Sequence, residues 1–114
     1  MRFGQRLGLR PERYADYKRH HARIWPEIAA AIHAAGIRNY SIYHLHGSGG
    51  AAGELFGYYE YIGPRAEYAA RLQSLAAAPR MREWWDLMEA MQIPHPSRRP
   101  GEWWTTMEEV FHQD

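Results

Sequence analysis

The apolar positions change period along the chain, and each change marks an element. Phe3, Leu7 and Leu9 fall on odd positions, with Arg2, Gly4, Arg6 and Gly8 between them. That alternation predicts a first strand. Over residues 11–35 the period becomes helical: Tyr14, Tyr17, His21, Ile24, Ile28 and Ile32 recur at steps of three and four and share one face. Pro11 suits a first helical turn, Pro26 should kink or restart the helix near Trp25, and Gly36 is a natural stop. Residues 38–46 carry β-favouring side chains in rough alternation, 47–53 read as a glycine-rich turn, and 54–62 read as the antiparallel return strand. In that return strand Leu55, Tyr59 and Tyr61 fall on one face and Phe56, Tyr58 and Ile62 on the other. A strand apolar on both sides needs cover on both sides. Pro64 opens a helix to about Ala77, and Pro79 interrupts it. Residues 80–91 continue as a helix with Met81, Trp84, Met88 and Met91 on one side. Pro94, Pro96 and Pro100 make an extended loop. Residues 105–112 predict a last strand, with Met107, Glu109 and Phe111 facing one way.

The order strand, helix, strand, strand, helix, strand predicts an α+β fold of the ferredoxin-like βαββαβ type, one antiparallel sheet with helices on one face. Its other face then has no element of the chain to cover it. A second copy of the chain is the simplest cover, so a homodimer with two sheets face to face is expected.

Composition narrows the function classes. At 114 residues the chain is expected to form one domain over residues 1–114, and 46% hydrophobic content with 14% aromatics supplies an ample core. There is no cysteine, which excludes disulfides, thiolate metal sites and cysteine nucleophiles. The net charge is +1 and no basic stripe appears, so neither a phosphate-tracking nucleic-acid partner nor a membrane partner is expected. The longest clean apolar run, Ile28 to Ile32, is far too short for a bilayer span, and the start of the chain lacks a signal-peptide segment. A cytoplasmic location is the expectation.

The sharpest chemistry lies in Tyr17-Lys18-Arg19-His20-His21-Ala22-Arg23-Ile24-Trp25-Pro26-Glu27. Tyr17 and His21 are neighbours on one helix face, the same face that carries Ile24 and Ile28. A phenol and an imidazole on a core stripe both need polar partners. Either they satisfy each other or nearby backbone, or they belong to an enclosed polar pocket whose histidine transfers protons near neutrality. Trp84 continues the methionine stripe, and Trp85 lies about 100° round the helix. Core packing explains Trp84 alone; as a pair the indoles can wall a cavity, offering flat faces to sugar C–H surfaces and N–H donors to hydroxyls. Tyr40 and Tyr43 fall on opposite faces of their strand. His44 and His46 make an H-x-H pair without a third ligand at convincing spacing, so no metal is expected. Trp103-Trp104 precedes the last strand and fits either an exposed hinge or a dimer contact.

Tyr17-x-x-x-His21-x-x-Ile24-Trp25-Pro26-Glu27 resembles the L-rhamnose mutarotases. Supporting segments follow in order: Asn39-Tyr40-Ser41-Ile42-Tyr43, Leu55-Phe56-Gly57-Tyr58, Trp84-Trp85-x-x-Met88 and Glu109-Val110-Phe111-His112. The resemblance implies a dimeric α+β barrel of ferredoxin-like subunits and an aldose 1-epimerase that interconverts the α and β anomers of L-rhamnose or a related 6-deoxyhexose. It implies His21, not His20, as proton donor, Tyr17 and Tyr40 as sugar-contacting tyrosines, and Trp84 and Trp85 as the paired tryptophans. No cofactor is implied. Two segments depart from the family: residues 94–104 replace an Asn-Pro-Asp-Asn-Ser-Pro-like stretch, and the glycine-rich loop at 46–53 is longer. Both bear on the mouth of the pocket. A haem-binding or cofactor-free monooxygenase on the same dimeric barrel is the rival enzyme, with a histidine as axial ligand in the haem case. A non-catalytic sugar-binding dimer is the third reading.

Overall fold

The computed structural model describes residues 1–114. The first strand, β1 (Arg2–Leu9), places its odd residues against the helices, and Leu7 and Leu9 are fully buried. A short 3-10 turn at Pro11–Arg13 leads into α1 (Tyr14–Ala22), and α2 (Pro26–Ala34) follows. The expected kink is therefore a complete break. The Arg23 N–H turns back to the His20 carbonyl, and Pro26, which has no N–H to lose, opens α2. Gly36 ends this helix at φ +90°, where an added Cβ would stand 3.2 Å from the Tyr61 ring.

The hairpin β2 (Ile37–Leu45) and β3 (Gly53–Tyr61) lies one residue earlier than the alternation predicts at each strand. A second 3-10 turn at Arg65–Glu67 precedes α3 (Tyr68–Ala77), and Pro79 starts α4 (Pro79–Glu89). The predicted stripe is buried throughout: Met81, Trp84, Met88 and Met91. The antiparallel sheet runs β2-β3-β1, and two short segments share the outer edge of β1. β4 (Gln92–Ile93) pairs Leu9 and Gly8, and β5 (Thr105–Met107) pairs Arg6, Gln5 and Gly4. This is the βαββαβ topology with its last strand cut in two by the proline-rich loop.

The last strand is shorter than predicted. Residues 108–114 leave the sheet: pairing ends with Met107 opposite Gly4, although β1 continues through Phe3 to Arg2. Arg2 and Glu109 meet there through their side chains instead, at 2.9 Å. One core joins both layers, with Leu7, Leu9 and Leu55 of the sheet packed against Tyr17, Ile28, Leu75, Trp84 and Met88 of the helices. No helix is long and apolar enough to cross a membrane.

One irregularity in the sheet bears directly on the site. Arg38 pairs Glu60 and Ser41 pairs Tyr58, so β2 carries one more residue than β3 between the same two pairs. That extra residue is a β-bulge. Asn39 adopts φ +50°, a left-handed conformation that asparagine tolerates better than most residues. The bulge puts Ile37 and Tyr40 on the same helix-facing side although they are three residues apart, and Tyr40 stays in phase with Ile42 and His44.

Candidate active site

Between the sheet and the helices lies a cavity of about 770 Å³. The five residues expected as the proton donor and sugar contacts, Tyr17, His21, Tyr40, Trp84 and Trp85, all line it. They arrive from three elements: α1 brings Tyr17 and His21, the bulged strand brings Tyr40, and α4 brings the tryptophans. Tyr43, on the other side of β2, is 66% exposed and faces away.

The two polar residues of the α1 stripe do not satisfy each other side chain to side chain. His21 Nδ1 lies 2.8 Å from the main-chain carbonyl of Tyr17, one helical turn earlier. A carbonyl only accepts, so Nδ1 carries the proton of the neutral ring and Nε2 is left with a free lone pair. Burial pushes the His21 pKa below its ordinary value, nearby His20 lowers it further, and the bond to the carbonyl opposes them. At neutral pH His21 is therefore an uncharged imidazole. Its ring lies 4.3 Å from that of Tyr17 and meets Trp84 edge-on at 5.6 Å.

The Tyr17 hydroxyl is bound from behind the cavity wall. Gln92 Nε2 donates to Tyr17 Oη at 3.0 Å, and Trp103 Nε1 donates to Gln92 Oε1 at 2.8 Å. Burial pushes the Tyr17 pKa up, so the phenol keeps its proton. Tyr40 keeps 40% of its surface, yet crowding of its hydroxyl by burial raises its pKa to about 12. Its ring leans on Tyr59 at 5.7 Å, and the Tyr59 hydroxyl bonds that of Tyr68 at 2.7 Å.

The two tryptophans play different parts in the wall. Trp84 is buried between His21 and Trp25, with Trp25 edge-on at 5.1 Å. Trp85 is half-buried, and the Arg82 guanidinium lies 5.5 Å from its ring. Arg80 stacks on Trp25 at 3.7 Å and reaches Glu27 and Glu83, which ties α2 to α4 behind the site. Gln5, Asn39 and Tyr59, not expected as site residues, also line the wall, with Lys18 exposed alongside; the Trp103-Trp104 doublet is half-buried rather than an exposed hinge, and its Trp104 lines the cavity. His44 and His46 also meet here, with ring centroids 4.4 Å apart and His44 stacked on Tyr14. No cluster of three or more metal-ligating His, Cys, Asp or Glu side chains forms.

A histidine with one nitrogen fixed and the other free, set in an aromatic wall with phenol donors, is suited to moving protons on a polyhydroxylated ring. Comparison with known proteins bears on that arrangement. The sequence profile described as L-rhamnose mutarotase matches residues 2–113. The chain belongs to the L-rhamnose mutarotase family. A family member from Opitutus terrae is 36% identical over 100 residues, spanning 88% of this chain and 86% of the relative. A second, from Lactiplantibacillus plantarum, is 31% identical and covers 100% of this chain and 99% of its own. The crystal structure of the L-rhamnose mutarotase from Formosa agariphila superposes with a TM-score of 0.72 at 23% identity, covering 100% of this chain and 99% of that one. That likeness is one of fold: the same α+β architecture carries the site. The monooxygenase alternative finds no support among these mutarotase matches.

Proposed function

We propose that the protein interconverts the α and β anomers of L-rhamnose or a related 6-deoxyhexose, with His21 as the proton-transfer residue. The observation that carries the reading is the His21 imidazole, neutral, with Nδ1 committed to the Tyr17 carbonyl and Nε2 left to the cavity. Nε2 takes the proton of the anomeric hydroxyl. As the anomeric carbon–ring oxygen bond breaks, the carbon–oxygen double bond of the aldehyde forms. The ring oxygen leaves with the bonding electron pair and takes the proton now held on His21. Rotation about the bond from the anomeric carbon to its neighbour presents the opposite face of the aldehyde, and the same steps in reverse close the other anomer. The cycle is proton-neutral, so one imidazole serves as base and as donor to the ring oxygen. Tyr17 and Tyr40 hold sugar hydroxyls, and Trp84 and Trp85 set the plane of the ring.

The active unit in this reading is a homodimer. Tyr43, Leu45 and Met107 stand exposed on the sheet face away from the helices, and Phe56 and Tyr58 lie beside them half-buried. A second copy of that face would cover them.

The test is NMR of anomeric exchange by saturation difference, on L-rhamnose, L-fucose and D-glucose, with the wild type and with His21→Ala. Acceleration for L-rhamnose that the variant loses supports the reading. A wild type that leaves every sugar at its uncatalysed rate overturns it. Exchange accelerated equally by His21→Ala removes His21 from the chemistry, and binding without acceleration leaves a sugar-binding dimer.

A further inference from the structure

Gln92 is a buried polar side chain, 3% exposed, and it lies behind the cavity rather than in its lining. Its place is fixed by the two-residue strand β4, where it pairs Leu9 at the edge of β1. Both ends of its amide are engaged, and the polarity of the two bonds is forced. An indole N–H only donates, so the Gln92 atom 2.8 Å from Trp103 Nε1 must be the carbonyl oxygen. The amide nitrogen then faces Tyr17 and donates to Oη at 3.0 Å. A phenol oxygen that accepts this bond still holds its own hydrogen, and the Tyr17 O–H has no acceptor among the side chains or carbonyls around it.

We propose that Gln92 and Trp103 are positioning residues that fix the Tyr17 hydroxyl as a hydrogen-bond donor into the cavity, so that it recognises an acceptor oxygen of the bound sugar. The proposal rests on the sugar reading of the site for the identity of the acceptor, but not for the direction of the relay. Without Trp103 to hold it, the Gln92 amide can flip, and the phenol then turns its hydrogen onto Gln92 Oε1 and offers the ligand only a lone pair. The chain order also explains how the relay is assembled. The proline-rich loop after Ile93 leaves the sheet edge and returns at Thr105, which brings Trp103 back beside Gln92 eleven residues on. Trp103 thus couples the proline-rich loop to a residue in the cavity wall.

Gln92→Glu tests the polarity directly. The substituted carboxyl still accepts from Trp103. When ionised it can only accept from Tyr17 and reverses the phenol; when protonated it can donate, as the amide does. Two readouts separate the relay from the sugar reading. The first needs no sugar: in protein isotopically labelled at tyrosine Cζ, the Tyr17 resonance shifts on Gln92→Glu at pH 8 and moves back toward the wild-type position as the carboxyl is protonated. The second is L-rhamnose affinity, followed by tryptophan fluorescence and referred to wild type at each pH. It falls about tenfold in Gln92→Glu at pH 8, as expected for one buried hydrogen bond reversed, and recovers on acidification. Trp103→Phe frees the amide to flip and lowers affinity about threefold with kcat little changed, and adding it to Gln92→Leu costs nothing further. A Tyr17 resonance unmoved in Gln92→Glu and Trp103→Phe overturns the proposal. So do unchanged affinities in a protein whose wild type binds sugar. A shifted Tyr17 resonance in a wild type that does not bind L-rhamnose supports the relay and overturns the sugar reading instead.

Discussion

Replacing His21 by alanine should remove catalysis while leaving the fold standing, and the structure sets both sizes. The imidazole makes one hydrogen bond, from Nδ1 to the Tyr17 carbonyl at 2.8 Å. In an α-helix that carbonyl is also the acceptor for the main-chain N–H four residues on, so losing the ring does not orphan it. Stability should fall by about 1 kcal/mol for the bond, with a comparable loss for the half-buried ring. General acid–base help from a positioned side chain is worth roughly 10²–10⁴ in rate, so kcat should drop by that factor. The pH profile sharpens the test. The folded pKa of His21 is lowered, chiefly by burial, so the neutral ring persists below its usual range. With the neutral form as the starting base, wild-type kcat/KM stays flat from alkaline pH down through neutrality and falls only below about 6.5, the unperturbed value. Stability has the same sign. The unfolded chain binds the His21 proton more readily than the folded one, so this contribution is complete above about 6.5 and is lost as pH falls toward the folded pKa. Anomeric exchange by NMR and urea unfolding on the same samples give both numbers. A folded variant with undiminished kcat refutes the assignment, and a wild-type rate that climbs as pH drops through neutrality refutes the neutral starting form.

Other substitutions separate bracing from binding. Trp84→Ala, at a buried position against His21 and Trp25, should cost about 3–5 kcal/mol in urea unfolding. Trp85→Ala, half-buried, should cost well under that and show chiefly as a raised KM. The wild type should sediment as a dimer, and Leu45→Asp, at a position 59% exposed on the outer sheet face, should leave a folded monomer; a wild type monomeric at micromolar concentration would refute the covered-face reading. Gly36→Ala should destabilise by about 1–2 kcal/mol in thermal or urea unfolding, because its φ of +90° suits glycine and the new methyl meets Tyr61.

Long periodic stretches made much of the fold legible in advance. The stripe from Met81 to Met91 is buried as its spacing predicts, and Pro26 divides the first helical run. β4 escaped because two residues carry no alternation, and they sit beside a proline-rich segment that reads as loop. The last strand read too long because side-chain alternation continues past Met107, where main-chain pairing stops although β1 itself runs on to Arg2. The site divides similarly. Tyr17 and His21 stood out because a phenol and an imidazole interrupt an apolar helix face, and Trp84-Trp85 because two indoles are adjacent. Gln92 and Tyr17 are 75 residues apart, and such a pairing leaves no local pattern. The same holds for Tyr59, an ordinary aromatic until the sheet closes under the helices, whereas the doublet Trp103-Trp104 stood out but pointed to a hinge or a dimer contact rather than to the cavity.

The extra residue in β2 has a consequence for how this chain can change over generations. With Asn39 in place, the segment before it and the segment after it both present their apolar positions to the helices. Loss of that one codon would leave Tyr40 alone opposite Tyr59 and restore plain alternation, with Ile37, Tyr40, Ile42 and His44 still in one phase. A deletion at Tyr43 would instead turn His44 to the outer face while the bulge held Ile37, Tyr40 and Ile42 in place. The bulge is therefore a point at which the strand can lose a residue without turning its flanking side chains over. Among descendants of this sequence, a one-residue deletion should be tolerated better at position 39 than further along the strand.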